Sequence, residues 1–308
     1  MLRKILRQFV PSPLRRNGEL GPSERPFLLP PGLTERQLYN FVTSIRVDGA
    51  PEAEMRAYAT QDYRRFIQTW SLARGYEGKC LELGGNPYFT SMLIRKYTSL
   101  ELSVANYFGN TSNGEYTQEV SYRDAVTTKA ARELFVYRHF NVETDLFPYD
   151  DRTFDLVIFC EIIEHLLNDP SKVLREIKRV LRLGGVLILS TPNVARLENC
   201  AKIISGANIY DPYSGYGPYG RHNREYSRHE LVQLLMFEGF DPLDHFTANV
   251  HSDQSGSYCD LQKLTPLLRH RAEDLGQYIF MTAKVRDTTP RSTRPAWLYR
   301  SYPERDLT

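Results

Sequence analysis

The chain has 308 residues and a formal net charge of +2 at neutral pH, from 39 basic and 37 acidic side chains. Hydrophobic residues make up 41% of it and charged residues 25%, which is ordinary for a globular protein and excludes collagen-like, coiled-coil and wholly disordered chains. The near balance of charge argues against a protein built to coat nucleic acid, so we expect no nucleic-acid partner.

The four cysteines are far apart in the sequence and include no CxxC pair. The sequence therefore gives no support for a zinc ribbon or a thioredoxin-like site. Scattered free cysteines are typical of a reducing compartment, and no apolar run approaches the roughly 20 residues of a membrane-spanning helix. Arg7 and Gln8 interrupt the apolar stretch that a signal peptide would need. The sequence therefore predicts a cytoplasmic protein.

Residues 1–32 are predicted to form an N-terminal arm, because their six prolines prevent a continuous helix. Residues 1–16 contain five basic side chains and no acidic one, an arrangement that would favour peripheral contact with an anionic membrane surface. The commoner alternative is a terminal helix that packs on its own domain or on the partner subunit of a homodimer.

Helix-like segments at residues 34–45 and 51–73 precede the first strong strand and define a helical cap over residues 33–74. From Lys79 the pattern changes to short apolar runs separated by helix-like segments. Runs without polar alternation are typical of strands buried on both faces of a parallel sheet. They occur at residues 79–83, 99–105, 154–160 and 185–190.

The segment Pro170–Leu183 is predicted to be a helix that ends at the following pair of glycines. Alternating strands and helices predict an α/β, Rossmann-like, doubly wound and mostly parallel sheet. We expect this domain to span residues 75–285, with an antiparallel last strand at Gln277–Val285. A tail follows at residues 286–308.

The regular pattern lapses after strand five, where residues 205–226 are rich in glycine and tyrosine. We expect a lid insertion there. Within it, His222, Arg224 and Tyr226 are candidate substrate-binding residues, because aromatic rings stack on sugar faces and polar groups bind hydroxyls. The alternative is that Arg224 and Glu225 only pair with each other and cap the next helix.

An acidic residue ends the first buried strand and a glycine turn follows it, in the order Glu82, Leu83, Gly84, Gly85. Such a turn lets a ligand approach the backbone closely at the carboxyl edge of a parallel sheet. Asn106 ends the second strand, and Asp145 follows the expected third strand. Together these positions indicate a cofactor site, although a lone glycine turn would be weak evidence.

With these landmarks the chain resembles the class I S-adenosylmethionine-dependent methyltransferases over roughly residues 75–285. The resemblance is most distinctive at residues 154–166 and 174–193. It implies S-adenosylmethionine as cofactor. Glu82 and Gly84, with Gly85 in the same turn, would hold its methionine end, and Asn106 would meet the ribose. Asp145 and the backbone of Leu146 would face the adenine amino group, and Cys160 and Glu161 would lie beneath the sulfonium. A plain NAD-binding domain is disfavoured because GxGxxG is absent and no acid ends the second strand.

Glu161, Glu164 and His165 follow the fourth strand at positions i, i+3 and i+4, which would share one face of a helix. Such ligands suit a divalent ion such as Mg²⁺ or Mn²⁺, and the ubiquinone-pathway O-methyltransferases, which this segment resembles, hold a divalent metal here. Two other interpretations stay open: His165 is a base without metal, or Glu164 and His165 only orient a loop. Glu164, His165 and His222 are the catalytic candidates.

The string around His222 also resembles bacterial methyltransferases that modify polysaccharides and glycolipids. The sequence therefore predicts O-methylation of a hydroxyl on a small-molecule or glycan acceptor, such as a sugar, polysaccharide or glycolipid. Two alternatives remain: O-methylation of a quinone or phenolic metabolite, and a catalytically degenerate cofactor-binding interaction module.

Overall fold

The computed structural model describes residues 20–109, 111–288 and 291–308. The predicted membrane-contacting segment, residues 1–16, lies outside these ranges. Within them, no helix combines the length and the apolar character that crossing a membrane requires.

After an N-terminal helical segment the chain alternates between strands and helices, except that four strands follow one another between Leu100 and Cys160. The α-helices are α1 (Glu35–Ser44), α2 (Glu52–Gln61), α3 (Tyr63–Ala73), α4 (Phe89–Tyr97), α5 (Pro170–Val180), α6 (Leu197–Ser205), α7 (Arg228–Phe237) and α8 (Leu261–Leu268). The strands are β1 (Arg46–Val47), β2 (Gly78–Leu83), β3 (Leu100–Asn106), β4 (Gly114–Arg123), β5 (Ala130–His139), β6 (Phe154–Cys160), β7 (Leu181–Pro192), β8 (Phe240–Ala248) and β9 (Tyr278–Val285).

The strands of the described chain form one nine-stranded sheet in the order β1-β4-β5-β3-β2-β6-β7-β9-β8. The five central strands, from β5 to β7, are parallel, and β9 lies antiparallel between β7 and β8. This confirms the predicted Rossmann-like sheet with an antiparallel last strand. The carboxyl ends of the parallel strands meet at one edge, where open α/β sheets bind their ligands.

The connection from β3 to β5 differs from the predicted alternation of strand and helix. It runs through β4, which pairs antiparallel with β5 over ten residues and carries β1 on its other edge. Alternate side chains of β4, such as Val120 and Tyr122, are buried while Glu115 and Glu119 are exposed. This period-two pattern is typical of a half-buried strand, which contains no continuous apolar run and was therefore not among the predicted strands.

The predicted helix Pro170–Leu183 is three residues too long. Helix α5 ends at Val180, because Leu181 is buried and extended and already pairs with Phe154 as the first residue of β7. The glycine pair that suggested the end of a helix lies inside the strand instead, next to a register shift.

The cap helices α1 to α3 pack on one face of the sheet. Their buried side chains, among them Phe41 and Trp70, belong to the same hydrophobic core as Phe135 of β5 and Ile188 of β7. The cap is therefore continuous with the domain core and brings side chains of α3 close to the carboxyl edge of the sheet.

The C-terminal tail is docked through the carboxylate of Asp169, the residue that caps α5. Asp169 Oδ1 accepts hydrogen bonds from the Lys172 backbone N–H and from the Tyr299 hydroxyl, the latter at 2.7 Å. Its Oδ2 accepts from Arg294 Nε at 2.9 Å. Burial acts to raise the pKa of Asp169, but the hydrogen bonds from Tyr299 and Arg294 outweigh it and hold the pKa below its usual value.

Asp169→Asn should lower the free energy of unfolding by roughly 1–3 kcal/mol at pH 7, because it removes hydrogen bonds to a charged, buried group. Asparagine is also a good N-cap, so the variant leaves the helix cap in place. A carboxyl whose pKa is lower in the folded state stabilises the fold fully at pH values above its unfolded pKa of about 3.9. This stabilisation is lost as the pH falls through the folded pKa. The difference between variant and wild type, measured by urea denaturation, should therefore vanish in acid. Asp151→Asn, at an exposed ion pair with Arg179, is the control.

Candidate active site

A cavity of about 180 Å³ lies at the carboxyl ends of the parallel strands. Its walls come from the ends of β2, β3, β5 and β6 and from one residue of the lid. The lining residues are Gly84, Ala105, Asn106, Tyr107, Phe140, Asn141, Val142, Glu161, Ile162, His165, Leu166 and Tyr219. A larger open cleft of about 930 Å³ lies beside α1, β4 and β5, and none of the predicted site residues lines it.

The glycine turn after β2 brings backbone to the cavity. Gly84 has a φ of 68°, a conformation that glycine adopts without strain, and its N–H donates to the Ala105 carbonyl at 2.8 Å. A Cβ on Gly85 would lie 2.5 Å from a methyl of Val104, so no side chain fits there. Gly84 lines the cavity, whereas Gly85 packs closely against Val104 and does not line it.

Glu82 and Asn106 brace this turn. Glu82 is buried and accepts a hydrogen bond from the Ser91 hydroxyl, and burial raises its pKa to about 7. Asn106 lines the cavity, but its side-chain oxygen accepts the Asn86 N–H at 2.8 Å and its amide donates to the Tyr88 hydroxyl at 3.0 Å. The ribose contact predicted for Asn106 would therefore use its remaining hydrogen-bonding capacity.

The adenine contacts predicted for Asp145 and for the backbone of Leu146 remain predictions. Leu146 is 76% exposed, and neither residue lines the cavity. Asp145 instead accepts hydrogen bonds from the Asn141 backbone N–H and the Asn113 side chain. Strand β5 ends at His139, and Asn141 and Val142 form the cavity wall at this point.

Glu161 directly follows β6 and lines the cavity, whereas Cys160 is half-buried behind it. The Glu161 backbone has a φ of 56°, and its Oε1 accepts from the Ser190 hydroxyl at 2.7 Å. Burial, partly offset by the Arg65 guanidinium 4.0 Å away, raises the pKa of Glu161 to about 7.

The predicted helical face of Glu161, Glu164 and His165 is wrong. Residues Ile163–His165 form a single 3₁₀ turn, and Glu161 precedes it with a left-handed backbone. Glu161 is therefore not part of one α-helix with Glu164 and His165, which is the geometry that the shared face required.

The structure brings together Glu164, His165 and His222 instead. One potential ligand atom of each lies within 4.8 Å of those of the other two, and within the described residues no other group of three meets this criterion. His165 Nε2 lies 3.8 Å from Glu164 Oε1, and the two imidazole rings are 5.1 Å apart, edge to face. We call these three residues the acid–histidine cluster.

Each histidine of the cluster is fixed by a hydrogen bond at Nδ1. His165 Nδ1 lies 2.9 Å from the Arg221 carbonyl, and His222 Nδ1 lies 3.0 Å from the Glu225 carboxylate. A carbonyl or carboxylate oxygen can only accept, so Nδ1 carries the proton and Nε2 of a neutral ring keeps a free lone pair. Outer partners of this kind orient metal-ligating or catalytic histidines.

The carboxylate of Glu164 is fully buried, and only one of its two oxygens has a hydrogen-bond partner among the described residues. Its Oε2 accepts from the Thr191 hydroxyl at 2.9 Å, whereas Oε1 has no hydrogen-bond partner among the described residues. Burial raises its pKa to about 7. A buried oxygen without a partner is costly, which indicates that a proton or a cation belongs beside it.

The two imidazoles have different electrostatic surroundings. Burial lowers the pKa of His165. Burial acts the same way on His222, but the hydrogen bond to Glu225 and the charge of Glu164 prevail and raise its pKa. His165, which lines the cavity, is therefore the neutral imidazole at physiological pH.

Two of the predicted substrate residues do not line the cavity. Arg224 forms an ion pair with Glu230 of α7, and Tyr226 is only 1% exposed, within the hydrophobic core. Glu225 does not pair with Arg224 but binds His222 and Arg196. Of the lid residues predicted to bind substrate, His222 is the one that reaches the cavity region.

Sequence reasoning missed three residues of the site: Arg65, Asn141 and Tyr219. Arg65 lies in a cap helix and reaches Glu161 across the fold. Tyr219 is one of several tyrosines in the lid, and nothing in the sequence separates it from the others.

Comparison with known proteins matches residues 102–189 to a family described as a methyltransferase domain. A protein of Mycolicibacterium smegmatis named as a probable S-adenosylmethionine-dependent methyltransferase is 34% identical over 97 residues, 32% of this chain and 32% of that protein. A probable S-adenosylmethionine-dependent methyltransferase of Mycobacterium tuberculosis is 34% identical over 93 residues, 30% of this chain and 29% of that protein. The match thus spans about a third of the length of these relatives.

Among solved structures, a SAM-dependent methyltransferase of Thermotoga maritima aligns with a TM-score of 0.47 at 12% identity, covering 75% of this chain and 95% of that one. Residues 102–189 thus match a methyltransferase domain family, and they lie within the Rossmann-like α/β sheet described above.

Proposed function

We propose that this protein transfers the methyl group of S-adenosylmethionine to a hydroxyl oxygen of a sugar, polysaccharide or glycolipid. The observation that carries the proposal is the position of His165, which lines the cavity at the sheet edge and also belongs to the acid–histidine cluster. A cofactor in this cavity would present its methyl group beside a group that can activate an acceptor.

The reaction needs such a group because a hydroxyl must lose its proton as it attacks. The acceptor oxygen forms a bond to the methyl carbon, the carbon–sulfur bond breaks, and S-adenosylhomocysteine leaves. Nε2 of His165 is the basic nitrogen available at the cavity wall, because Nδ1 already donates to the Arg221 carbonyl. In a metal-free enzyme this atom takes the acceptor proton.

The donor set of the cluster also fits a divalent cation, with Glu164, His165 and His222 as ligands. The unpartnered Oε1 of Glu164 favours this arrangement. A bound cation would lower the pKa of the acceptor hydroxyl. Since His222 takes the place expected for Glu161, the set holds two imidazoles and one carboxylate, which suits Mn²⁺ or a borderline metal better than Mg²⁺.

The exposed part of the lid supports a sugar-containing acceptor. Tyr210, Tyr213 and Tyr216 are 82%, 91% and 86% exposed and precede the cluster residue His222 by at most twelve positions. Exposed tyrosine rings offer apolar faces for sugar rings and hydroxyls for hydrogen bonds. Ile203 and Ile204, also exposed at the end of α6, would suit the apolar part of a glycolipid.

Transfer of labelled methyl groups from S-adenosylmethionine into fractionated cell extract tests the proposal. We expect label in the glycan or glycolipid fraction, abolished by a chelator and restored better by Mn²⁺ than by Mg²⁺. Label that resists chelation would eliminate the metal and leave His165 as base. Label in phenolic material would refute the acceptor class, and no label together with no binding of S-adenosylhomocysteine would refute the enzyme.

A further inference from the structure

A second cleft, of about 750 Å³, opens at the same edge of the sheet as the cofactor cavity. It lies where β8 ends at Ala248, beside the start of β9 at Tyr278, and Tyr278 pairs with Pro192 at the carboxyl end of β7. Its walls come from residues 22–27, from α3 and from residues 248–252. We call it the arm cleft. Its volume falls in the range of about 300–1,000 Å³ that is usual for small-molecule sites.

The side chain of Gln277, only 4% exposed, fixes the orientation of His251 in this cleft. Its Oε1 accepts the backbone N–H groups of Val250 at 2.8 Å and His251 at 3.0 Å, so its Nε2 is left to donate. That nitrogen lies 3.0 Å from His251 Nδ1, closer than the Ser252 carbonyl at 3.4 Å. Because an amide nitrogen can only donate, Nδ1 accepts, and Nε2 of the neutral imidazole carries the proton.

The arm cleft also contains a guanidinium group without an ion pair. Arg64 of α3 is exposed, its guanidinium lies 5.6 Å from the centre of the Phe27 ring, and it pairs with no carboxylate of the described residues. The other charged side chains of the lining are Glu24 and Arg25, and Arg25 is paired with Asp244 at 2.6 Å. Two guanidinium groups and one carboxylate therefore line the cleft, which gives it an excess of positive charge.

Asn249 adds a donor to this lining. Its Oδ1 accepts the backbone N–H of Gln277 at 3.2 Å, so its Nδ2 is the end of the amide that remains. Asn249 Nδ2, His251 Nε2 and the Arg64 guanidinium thus line one cleft, and none of them has a hydrogen-bond acceptor among the residues that the structure describes.

Such donors are complementary to phosphate or carboxylate oxygens, which only accept and which bind a guanidinium most strongly. We propose that the arm cleft binds an anionic group of the acceptor, the phosphate or carboxylate of an acidic sugar or glycolipid. The inference rests on the proposed function, and it adds a negative charge to the acceptor that this function requires.

Consecutive residues of α3 connect the arm cleft with the cofactor cavity. Arg64 lines the cleft, whereas Arg65 lies 4.0 Å from Glu161 at the cavity wall. The His251 ring of the cleft lies 6.3 Å from the ring of Tyr278, and the Arg65 guanidinium lies 5.7 Å from that same ring. An acceptor whose anionic group is held in the cleft is therefore at the same sheet edge as the cofactor, with Arg65 and Tyr278 between them.

Calorimetric titration of the wild-type chain with glucose 6-phosphate, glucuronate and glucose, without cofactor, tests the requirement for charge. We expect at least one of the two anionic sugars to bind at least about tenfold more tightly than glucose, because a hydrogen bond to a charged group changes affinity by about that factor or more. The tighter of the two anions identifies the group as phosphate or carboxylate. Equal affinity for all three sugars would overturn the proposal.

Two variants locate the anion. Asn249→Asp keeps the oxygen that accepts from Gln277 but replaces a donor with a negative charge, and Arg64→Gln removes the unpaired positive charge. Each should weaken binding of the anionic sugar at least about tenfold. Arg74→Gln is the matched control, because Arg74 ends the same helix without lining the cleft, and it should bind within about twofold of wild type. Unchanged affinity in both cleft variants would refute the site.

Binding of S-adenosylhomocysteine separates this inference from the proposed function. The variants should bind it as the wild type does, since none of the substituted residues lines the cofactor cavity, so a loss confined to the anionic sugar is not misfolding. The methyl-labelled product from cell extract should be retained by an anion-exchange column. Label confined to neutral glycans would overturn the anionic group and leave methyl transfer intact. A wild-type chain that binds the anionic sugar but not S-adenosylhomocysteine would overturn the proposed function instead.

Discussion

Replacing His222 with alanine is expected to lower the rate of methyl transfer by about a hundredfold or more, the range found when a positioned acid–base group is lost. The change removes one member of the acid–histidine cluster and leaves the buried Glu164 without its charged neighbour. His222 does not line the cofactor cavity, so the affinity for S-adenosylhomocysteine should stay within about twofold of wild type. The rate is measured at saturating cofactor with labelled methyl groups.

The control for this prediction is His270→Ala, at an exposed histidine remote in sequence from the cluster. Glu164→Gln should match the loss in His222→Ala, because the amide retains the shape of the carboxylate but neither binds a cation well nor carries charge. If His222→Ala transferred methyl groups as fast as the control variant, the cluster would have no catalytic role. That result would favour the interpretation that Glu164 and His165 only orient a loop.

The sheet could be predicted from the sequence because its central strands are apolar on both faces. Phe154–Cys160 is apolar except at Asp155, and both its ends are the predicted ones, whereas Leu100–Asn106 alternates over its first half and ends within one residue of the predicted bounds. Burial on both faces imposes this composition locally, so it can be read without knowing the partner strands. Strand β4 has one exposed face and no such signature.

The cofactor turn was also predictable in part, since the constraint on it is local. Gly84 needs a left-handed backbone and Gly85 has no room for a side chain, so glycine at these positions marks a close turn at a strand end. The part of the wall after β5 is formed by Asn141 and Val142, which the sequence did not single out, while the adenine contacts of Asp145 and Leu146 remain predictions.

The composition of the cluster could not be obtained from spacing alone. The spacing of Glu161, Glu164 and His165 predicts a shared face only if all three residues belong to one α-helix, and here Glu161 lies outside the short 3₁₀ turn that contains the other two. His222 joins the cluster through tertiary contacts with residues more than fifty positions earlier, as in the bond between His165 and the Arg221 carbonyl. Such contacts have no local signature.

The cap contributes to the site through Arg65, a buried arginine of α3. Its Nε lies 3.2 Å from Asp62 Oδ1 and its Nη1 lies 4.0 Å from Glu161 Oε1, while its side chain is 6% exposed. The Tyr58 hydroxyl accepts a further hydrogen bond from it. The arginine thus neutralises a buried carboxylate of the cap and faces one at the cavity wall, which links the stability of the cap to the geometry of the site.

Arg65→Met is expected to lower the free energy of unfolding by about 3–5 kcal/mol, because methionine fills much of the space but leaves Asp62 and Glu161 as buried, unpaired carboxylates. Urea denaturation at neutral pH measures the change. Arg64→Met, at the exposed neighbouring position of the same helix, should cost less than about 1 kcal/mol and controls for the loss of an arginine. Arg65→Met should also weaken binding of S-adenosylhomocysteine, whereas Arg64→Met should not. Equal stability of the two variants would show that the charge of Arg65 does not hold the cap to the cavity wall.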